Sequence, residues 1–288
     1  MKVWLDGEIV DGHEARVSVT DHGLLYGDGV FEGLRVSGGK VFRLPDHLRR
    51  FGTAARAIGL ELPGGLPAVE EIVLSTARAH GEDEAYLRLV ATRGPGALGV
   101  DPTECHSPTL FCIADAIRLY DARRLEQGID LVTVSVRRPS ADALDPRIKS
   151  LYYLNSVLAK REARLRGADE ALILNARGHV AEASVANLFV VRDGRLLTPP
   201  ANDGALEGIT RASVLELGGD LGLRVAEVTL GRFDVFDADE CFLTGTGAGI
   251  VPVATLDGQP IGQRSDAPVT ARIQAAFARF TADHGTPL

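Results

Sequence analysis

Lys149 is one of only four lysines, with Lys2, Lys40 and Lys160, among 31 basic residues. A chain that uses arginine for its surface cations keeps at this position an amine, which can lose its proton and attack a carbonyl carbon. It lies in "DPRIKSLYYLN", residues 145–155. The apolar positions that follow (Leu151, Leu154, Val157, Leu158, then Leu165) predict a helix that starts directly after the lysine. The positive end of a helix and local burial both favour the unprotonated amine that Schiff-base chemistry needs. The ordinary reading is an exposed lysine near a helix end.

Three other stretches carry chemistry. "GHVAEASVANLFVV" sets Glu182 among small and apolar residues, a poor setting for a solvated carboxylate, although a surface turn would also accept one. "GALEGITRASVLEL" places Gly208, Ile209 and Thr210 at a predicted helix start, where free amides and a hydroxyl can bind an anion; an ordinary capped helix reads the same way. "ECFLTGTGAGIVPV" runs a strand into a glycine-rich turn with Thr246 between Gly245 and Gly247, which can offer amides to a phosphate or carboxylate. That turn is no dinucleotide fingerprint. It reads G-x-G-x-G, and a strand rather than a helix follows it.

These residues need elements to position them, and the chain is long enough to supply two lobes. Its 288 residues, 45% hydrophobic and 24% charged, are those of a soluble globular protein of one large or two ordinary domains. A net charge of −8 argues against nucleic acid or an anionic membrane as partner. No apolar run approaches the roughly 20 residues that span a bilayer, and the alternating "MKVWLDGEIVDG" is not a signal peptide. Cys105, Cys112 and Cys241 lack metal-ligand spacing and read as reduced thiols of a cytoplasmic protein; with no paired histidines, no metal is expected.

Hairpins are predicted at "VWLDGEIV" and at "VFEGLRVSGGKVFRL", about Asp6-Gly7 and Gly38-Gly39. Asp46 is the expected N-cap of a helix that buries Leu48, Phe51, Ala55 and Ile58, and a second helix covers 66–80. "AYLRLVATRG" alternates as a strand with Tyr86, Arg88 and Val90 on one face, and "PTLFCIA" is another. Further strands are expected at "IDLVTVSV", 170–175, 186–192, 195–198, 224–229, 240–244 and 251–256, with helices at 209–221 and 268–283. The fold class is mixed α/β (α+β): a small N-terminal domain at 1–114, a linker at 115–125, and a larger domain at 126–288 that carries the lysine.

Taken in order from "YGDGVFEGLR" (26–35) to "GTGAGIVPV" (245–253), these motifs resemble the class IV, or fold-type IV, aminotransferases over nearly the whole chain. The resemblance implies pyridoxal 5'-phosphate as cofactor and a ping-pong transfer of an amino group between small-molecule amino acids and 2-keto acids. It implies that Lys149 holds the cofactor as a Schiff base and moves the proton at the substrate Cα. Glu182 would pair with the pyridine nitrogen, Tyr153 would lie near the ring hydroxyl, and Leu206 would lie against the ring. Arg50, Gly208, Ile209, Thr210 and Thr246 would hold the phosphate.

"YGDGVFEGLR" and "AYLRLVATRGPGALGVDP" are most similar to the branched-chain amino-acid aminotransferases, which implies a substrate pocket of Tyr26, Phe31, Arg35, Tyr86, Arg88, Gly247 and Ala248 and a homodimer at minimum. D-amino-acid aminotransferases carry an Arg-x-His trap that "TRGPGALG" lacks, and aminodeoxychorismate lyases usually lack the Tyr-x-Arg strand. Tyr152 and Gly249 depart from the branched-chain pattern, which leaves D-amino acids and (R)-amines open as substrates. A pyridoxal-phosphate-binding protein without turnover is the reading from another class.

Overall fold

Two tight turns set the register of the N-terminal sheet. Asp6 and Gly7, at φ 52 and 91, join β1 (Lys2–Leu5) to β2 (Glu8–Asp11), and Gly38 and Gly39, at φ 57 and 70, join β3 (Gly29–Ser37) to β4 (Lys40–Phe42). Positive φ at both central residues matches the turn to the twist of its strands, so each hairpin closes without splaying. With β5 (Ala85–Thr92), β6 (Thr109–Asp115) and β16 (Gly285–Pro287) these strands make an antiparallel sheet in the order β16-β4-β3-β5-β6-β1-β2.

A computed structural model of the chain describes residues 1–117, 120, 122–262 and 268–288. Contacts group Met1–Arg118, Ile148–Tyr152 and Thr281–Leu288 into one unit, and Leu119–Arg147 with Tyr153–Phe280 into another. In the first unit the strand period of two sorts the sheet's faces. Val30, Leu34 and Val36 of β3, Leu87, Leu89 and Ala91 of β5, and Leu110, Cys112 and Ala114 of β6 form one core. Leu48, Phe51 and Ala55 of α2 (Leu44–Ala57) and Val69, Val73 and Ala77 of α3 (Gly65–His80) complete it. Removing such a leucine or phenylalanine from water contributes about 1.5–3 kcal/mol before entropy is counted. The other face carries Phe31, Gly33 and Arg35, whose cross-strand partners are Val90, Arg88 and Tyr86.

Three local expectations change. α2 begins at Leu44, so Asp46 is not its N-cap. Pro45 fits the first helical turn because its missing N–H has no helical partner there, and Asp46 instead accepts from Arg43 and Arg49. Lys149 does not start a helix either, since α5 spans Leu154–Leu165. Ile148–Tyr152 lies along β3 through an isolated bridge between Ser150 and Val30: the Phe31 amide donates to the Lys149 carbonyl at 3.0 Å, and the Leu151 amide donates to Gly29 at 2.9 Å. A Cβ at position 29 would sit 2.6 Å from the Ala91 carbonyl oxygen of β5 and 2.8 Å from Leu151 Cδ1, so glycine suits both the sheet pairing and this approach. Third, this segment and the C-terminal residues group with the first unit, so the lysine is not grouped with 126–288. The expected linker at 115–125 falls partly outside the described residues. Its end forms the short helix α4 (Ala122–Gln127).

The second unit is built on a mixed sheet in the order β12-β11-β10-β13-β14-β7-β8-β9, with β15 (Gln259–Pro260) beside β14. Its strands are β7 (Ile129–Arg137), β8 (Glu170–Leu174), β9 (Val180–Ala183), β10 (Asn187–Arg192), β11 (Arg195–Thr198), β12 (Arg224–Glu227), β13 (Glu240–Gly245) and β14 (Gly249–Leu256). β7 runs parallel to β8 and β14, and β11 runs parallel to β12; the other pairs are antiparallel. Ala159 and Ala163 of α5 pack on Val132, Val134 and Ile173. α6 (Ile209–Asp220) follows β11 in the chain, α7 (Arg232–Phe236) leads to β13, and α8 (Pro268–Asp283) leads back to β16. Among the described residues, no helix is long and apolar enough to cross a membrane.

The pairing of β16 with β4 makes a test of the first unit's composition. Ending the chain after His284 removes that strand and Leu288, which packs on the first core and donates its amide to Gly39. At about 1 kcal/mol per net hydrogen bond, a loss on the order of 2 kcal/mol is expected in the denaturant unfolding of the first unit. An unchanged midpoint would show that β16 contributes nothing to this sheet.

Candidate active site

On the face of the first sheet opposite that core, Arg88 packs between two rings. Its guanidinium carbon is 4.5 Å from the centroid of Phe31 and 5.5 Å from that of Tyr86, and Nη2 donates to the Tyr86 hydroxyl at 2.9 Å. Lys149 Nζ stands 4.3 Å from the same Phe31 centroid. The lysine, Phe31, Tyr86 and Arg88 are therefore brought together, as the motifs imply. Stacking fixes the guanidinium plane, while its Nε, buried and without a partner, is a donor able to take an anionic acceptor. Arg35 shares this face, but its Nη2 donates to Glu84 at 3.0 Å, the carboxylate that also takes the Ser37 hydroxyl and the Gly38 amide. Tyr26 lies on α1 (His22–Tyr26), where its hydroxyl accepts from the Gly99 amide and its ring meets His22 edge-on.

The core face of β3 carries one charge. Glu32 is fully buried and accepts from Arg50 twice, Nε to Oε1 and Nη2 to Oε2, both at 2.7 Å. His47, also fully buried, donates Nδ1–H to Oε2 at 2.8 Å. Burial pushes the Glu32 carboxyl up, but Arg50 and His47 outweigh it and hold the group at about 2. Burial also lowers His47 against the pull of Glu32, which leaves the imidazole neutral near pH 7.

In the second unit Glu182 lies on β9 and is buried, so the surface-turn alternative fails. Arg138 Nη2 meets its Oε1 at 2.6 Å, and Asn187 Nδ2 and the Leu206 amide both donate to Oε2 at 3.0 Å. Asn187 also donates to the Leu206 carbonyl, which ties the segment before α6 to the carboxylate. Gly208 is the N-cap of α6, and a Cβ there would collide with the Asn187 amide oxygen. The helix therefore begins without a capping side chain, and the amides of Ile209 and Thr210 lie in its first turn, where a helix binds anions. Thr246, Gly247 and Ala248 form the turn from β13 to β14, and Gly249 closes it at φ 70. The departure at Gly249 thus has a backbone reason, since left-handed geometry favours glycine. Beside the turn, the Thr244 hydroxyl is buried without a partner. Tyr153 immediately precedes α5 and is half-buried.

These features fit a phosphate-bearing aromatic cofactor. A buried carboxylate ringed by donors can pair with a ring nitrogen, while an uncapped helix start, a glycine turn and an orphan hydroxyl can take an anion. Five contributors were not anticipated: Gly33, Glu32, His47, Arg138 and Asn187. Glu32 was visible as a charge in phase with Val30, Leu34 and Val36. Arg138 and Asn187 are ordinary polar residues in their sequence surroundings, and only their tertiary contacts single them out.

Gly33 sets the pose of Tyr86. A Cβ at 33 would run into the Tyr86 hydroxyl and stand 2.9 Å from its ring carbon Cζ. Gly33→Ala should swing that ring away, break its bond to Arg88 and destabilise the protein by about 1–3 kcal/mol, as overpacking does. A crystal structure of the variant checks it. A Tyr86 ring that kept its place over the added methyl group would refute the steric account.

The profile of the family described as Amino-transferase class IV matches residues 29–256. A Methanocaldococcus jannaschii protein, provisionally named branched-chain-amino-acid aminotransferase, is 45% identical over 277 residues, which cover 96% of this chain and 95% of that protein. The Escherichia coli branched-chain amino acid aminotransferase structure superposes with a TM-score of 0.93 at 35% identity, covering 98% of this chain and 95% of that one. The Thermoproteus uzoniensis branched-chain aminotransferase structure with norvaline gives 0.90 at 40% identity, covering 97% and 94%. The motifs, the mixed two-unit fold and these matches agree: the chain belongs to the class IV aminotransferases.

Proposed function

We propose that the protein transfers amino groups between branched-chain L-amino acids and 2-oxoglutarate, with pyridoxal 5'-phosphate as cofactor. The observation that carries the substrate reading is Arg88 stacked on Phe31 and bonded to Tyr86. A cation held among aromatic walls offers a charged partner to a side-chain carboxylate and an apolar wall to an aliphatic side chain. The names of the similar proteins support the same substrate class.

When bound, the cofactor supplies an electron sink for breaking the bond between the substrate Cα and its hydrogen. Lys149 Nζ takes that proton and returns it, its backbone held by the Phe31 amide. Glu182, held by Arg138, Asn187 and the Leu206 amide, would keep a proton at the ring nitrogen. Tyr153 would bond the ring hydroxyl, and Leu206 would pack on the ring. Arg50, Gly208, Ile209, Thr210 and Thr246 would hold the phosphate. Tyr26, Arg35, Gly247 and Ala248 are the further residues that the family resemblance assigns to the substrate.

A homodimer in the cytoplasm is part of this reading. Leu24, Leu25 and Tyr26 of α1 and Leu98 and Val100 expose apolar surface, and the bond from Gly99 to Tyr26 ties these two segments together. Light scattering on the purified protein measures the assembly.

Two substitutions test the chemistry. Lys149→Arg should abolish transamination of leucine, because a guanidinium stays protonated and cannot attack the carbonyl; retained turnover would remove Lys149 from the mechanism. Arg88→Leu should slow the 2-oxoglutarate half-reaction by about ten- to a hundred-fold, the cost of one hydrogen bond to a charged group. The leucine half-reaction should change little. The aldehyde and amine forms of the cofactor absorb differently, so single-turnover spectra follow each half alone. Equal losses would put Arg88 on the shared α-carboxylate, and a larger loss with leucine would overturn the substrate reading.

A further inference from the structure

A carboxylate on the core face of a strand needs a reason. β3 alternates strictly, and Val30, Leu34 and Val36 on its inner face are fully buried beneath the helices. Glu32 stands in the same phase and is equally buried. An apolar residue of similar volume would fill the place at no desolvation cost, and buried ion pairs are weak contributors to stability. Glu32 is nevertheless fully engaged, with two donors from Arg50 and one from His47.

The two bonds from Arg50 leave one edge of a planar guanidinium and end on the two oxygens of one carboxylate. Such a fork fixes both the plane and the rotation of the arginine head. The carboxylate is fixed in turn by His47, which sits three residues before Arg50 on α2, so a single helical turn presents both partners to Glu32. The neighbouring residue on β3, Phe31, holds the Lys149 backbone through its amide. Adjacent residues of one strand thus anchor the lysine and the arginine.

We propose that Glu32 and His47 are positioning residues that hold the Arg50 guanidinium in the single orientation in which it recognises the cofactor's phosphate, although neither touches the phosphate. The inference rests on the reading of Arg50 as a phosphate ligand. It explains why "VFEG" and "HLRR" occur together: the glutamate of one motif orients the arginine of the other. A neutral imidazole suits this role, because it adds a donor to Glu32 without a second cation competing with Arg50.

The test compares pyridoxal 5'-phosphate with pyridoxal, which lacks the phosphate. Holoenzyme is stripped and refilled with each compound, and binding is followed by cofactor absorbance. Wild type should prefer the phosphorylated form, and Arg50→Leu should lose most of that preference. Glu32→Gln keeps the shape and loses the charge; it should reduce the preference by about ten-fold or more while pyridoxal binds within about two-fold of wild type. His47→Leu removes the outer bond and should reduce the preference by about three-fold, whereas His47→Asn, whose amide can donate to Glu32, should restore it. If Glu32→Gln does not fold, the two His47 variants decide the matter, because both retain the Glu32–Arg50 pair. An Arg50→Leu protein with undiminished preference would overturn the phosphate reading of Arg50, and the inference with it. A loss in Arg50→Leu with none in Glu32→Gln or His47→Leu would overturn the inference alone. Equal weakening of both compounds in Glu32→Gln would overturn it in favour of a purely structural role.

Discussion

The hydrogen bond from the Phe31 amide to the Lys149 carbonyl is the contact on which the chemistry of the first unit depends. It registers an isolated five-residue segment against β3, and register decides which side chains share a face. Slipped by one residue, the segment would present a neighbour of Lys149 to the Phe31 ring. Glycine at 29 leaves room for the Leu151 side chain, the Leu151 amide closes the other end of the contact, and the pairing of β3 with β5 places Arg88 and Tyr86 on the same side. The lysine is thus positioned by sheet geometry rather than by the end of a helix.

A second constraint is the burial of charge. Glu32 and Glu182 are both carboxylates out of water, and each is surrounded by donors: Arg50 and His47 in one case, Arg138, Asn187 and a backbone amide in the other. Removing one partner of a buried ion pair typically costs about 3–5 kcal/mol, because the remaining charge has nowhere to go. Each carboxylate therefore depends on donors that only the folded unit assembles. For Glu32 the folded carboxyl lies at about 2, below the ordinary 4.5, so its share of stability is present above the ordinary value and fades as pH falls toward 2.

Much of this was legible in the sequence, for reasons that can be named. Hairpin turns announce themselves through residues that tolerate positive φ, and the core faces of β3 and β5 follow from a period of two. Lys149 stood out because arginine had replaced nearly every other basic residue. The helix expected right after it was misplaced, because the apolar spacing from Leu151 onward cannot show that Ile148–Tyr152 pairs with a strand more than a hundred residues earlier. Asp46 looked like a cap because capping residues are also common in first turns, and only Pro45 hinted at the earlier start. Arg138 and Asn187 were invisible because their importance lies in one distant carboxylate, which no local pattern encodes. Glu32 was the reverse case. Its charge was wrong for a position in phase with the core, and such local inconsistency is where functional constraint tends to surface.

The same reasoning bears on how one pocket can serve two kinds of side chain. A guanidinium free to rotate would choose its own partner and lose orientation entropy at every binding event. Arg88 is instead laid on Phe31 and tethered to Tyr86, whose own pose depends on the bare backbone at Gly33. The cation's position is therefore settled before any substrate arrives. In the proposed substrate reading an acidic side chain would meet donors already aligned, while an aliphatic one would meet the faces and edges of the rings, with no need to expel a loosely held charge. Preorganisation of this sort reduces the cost of binding either partner, so dual acceptance would need no movement of the backbone.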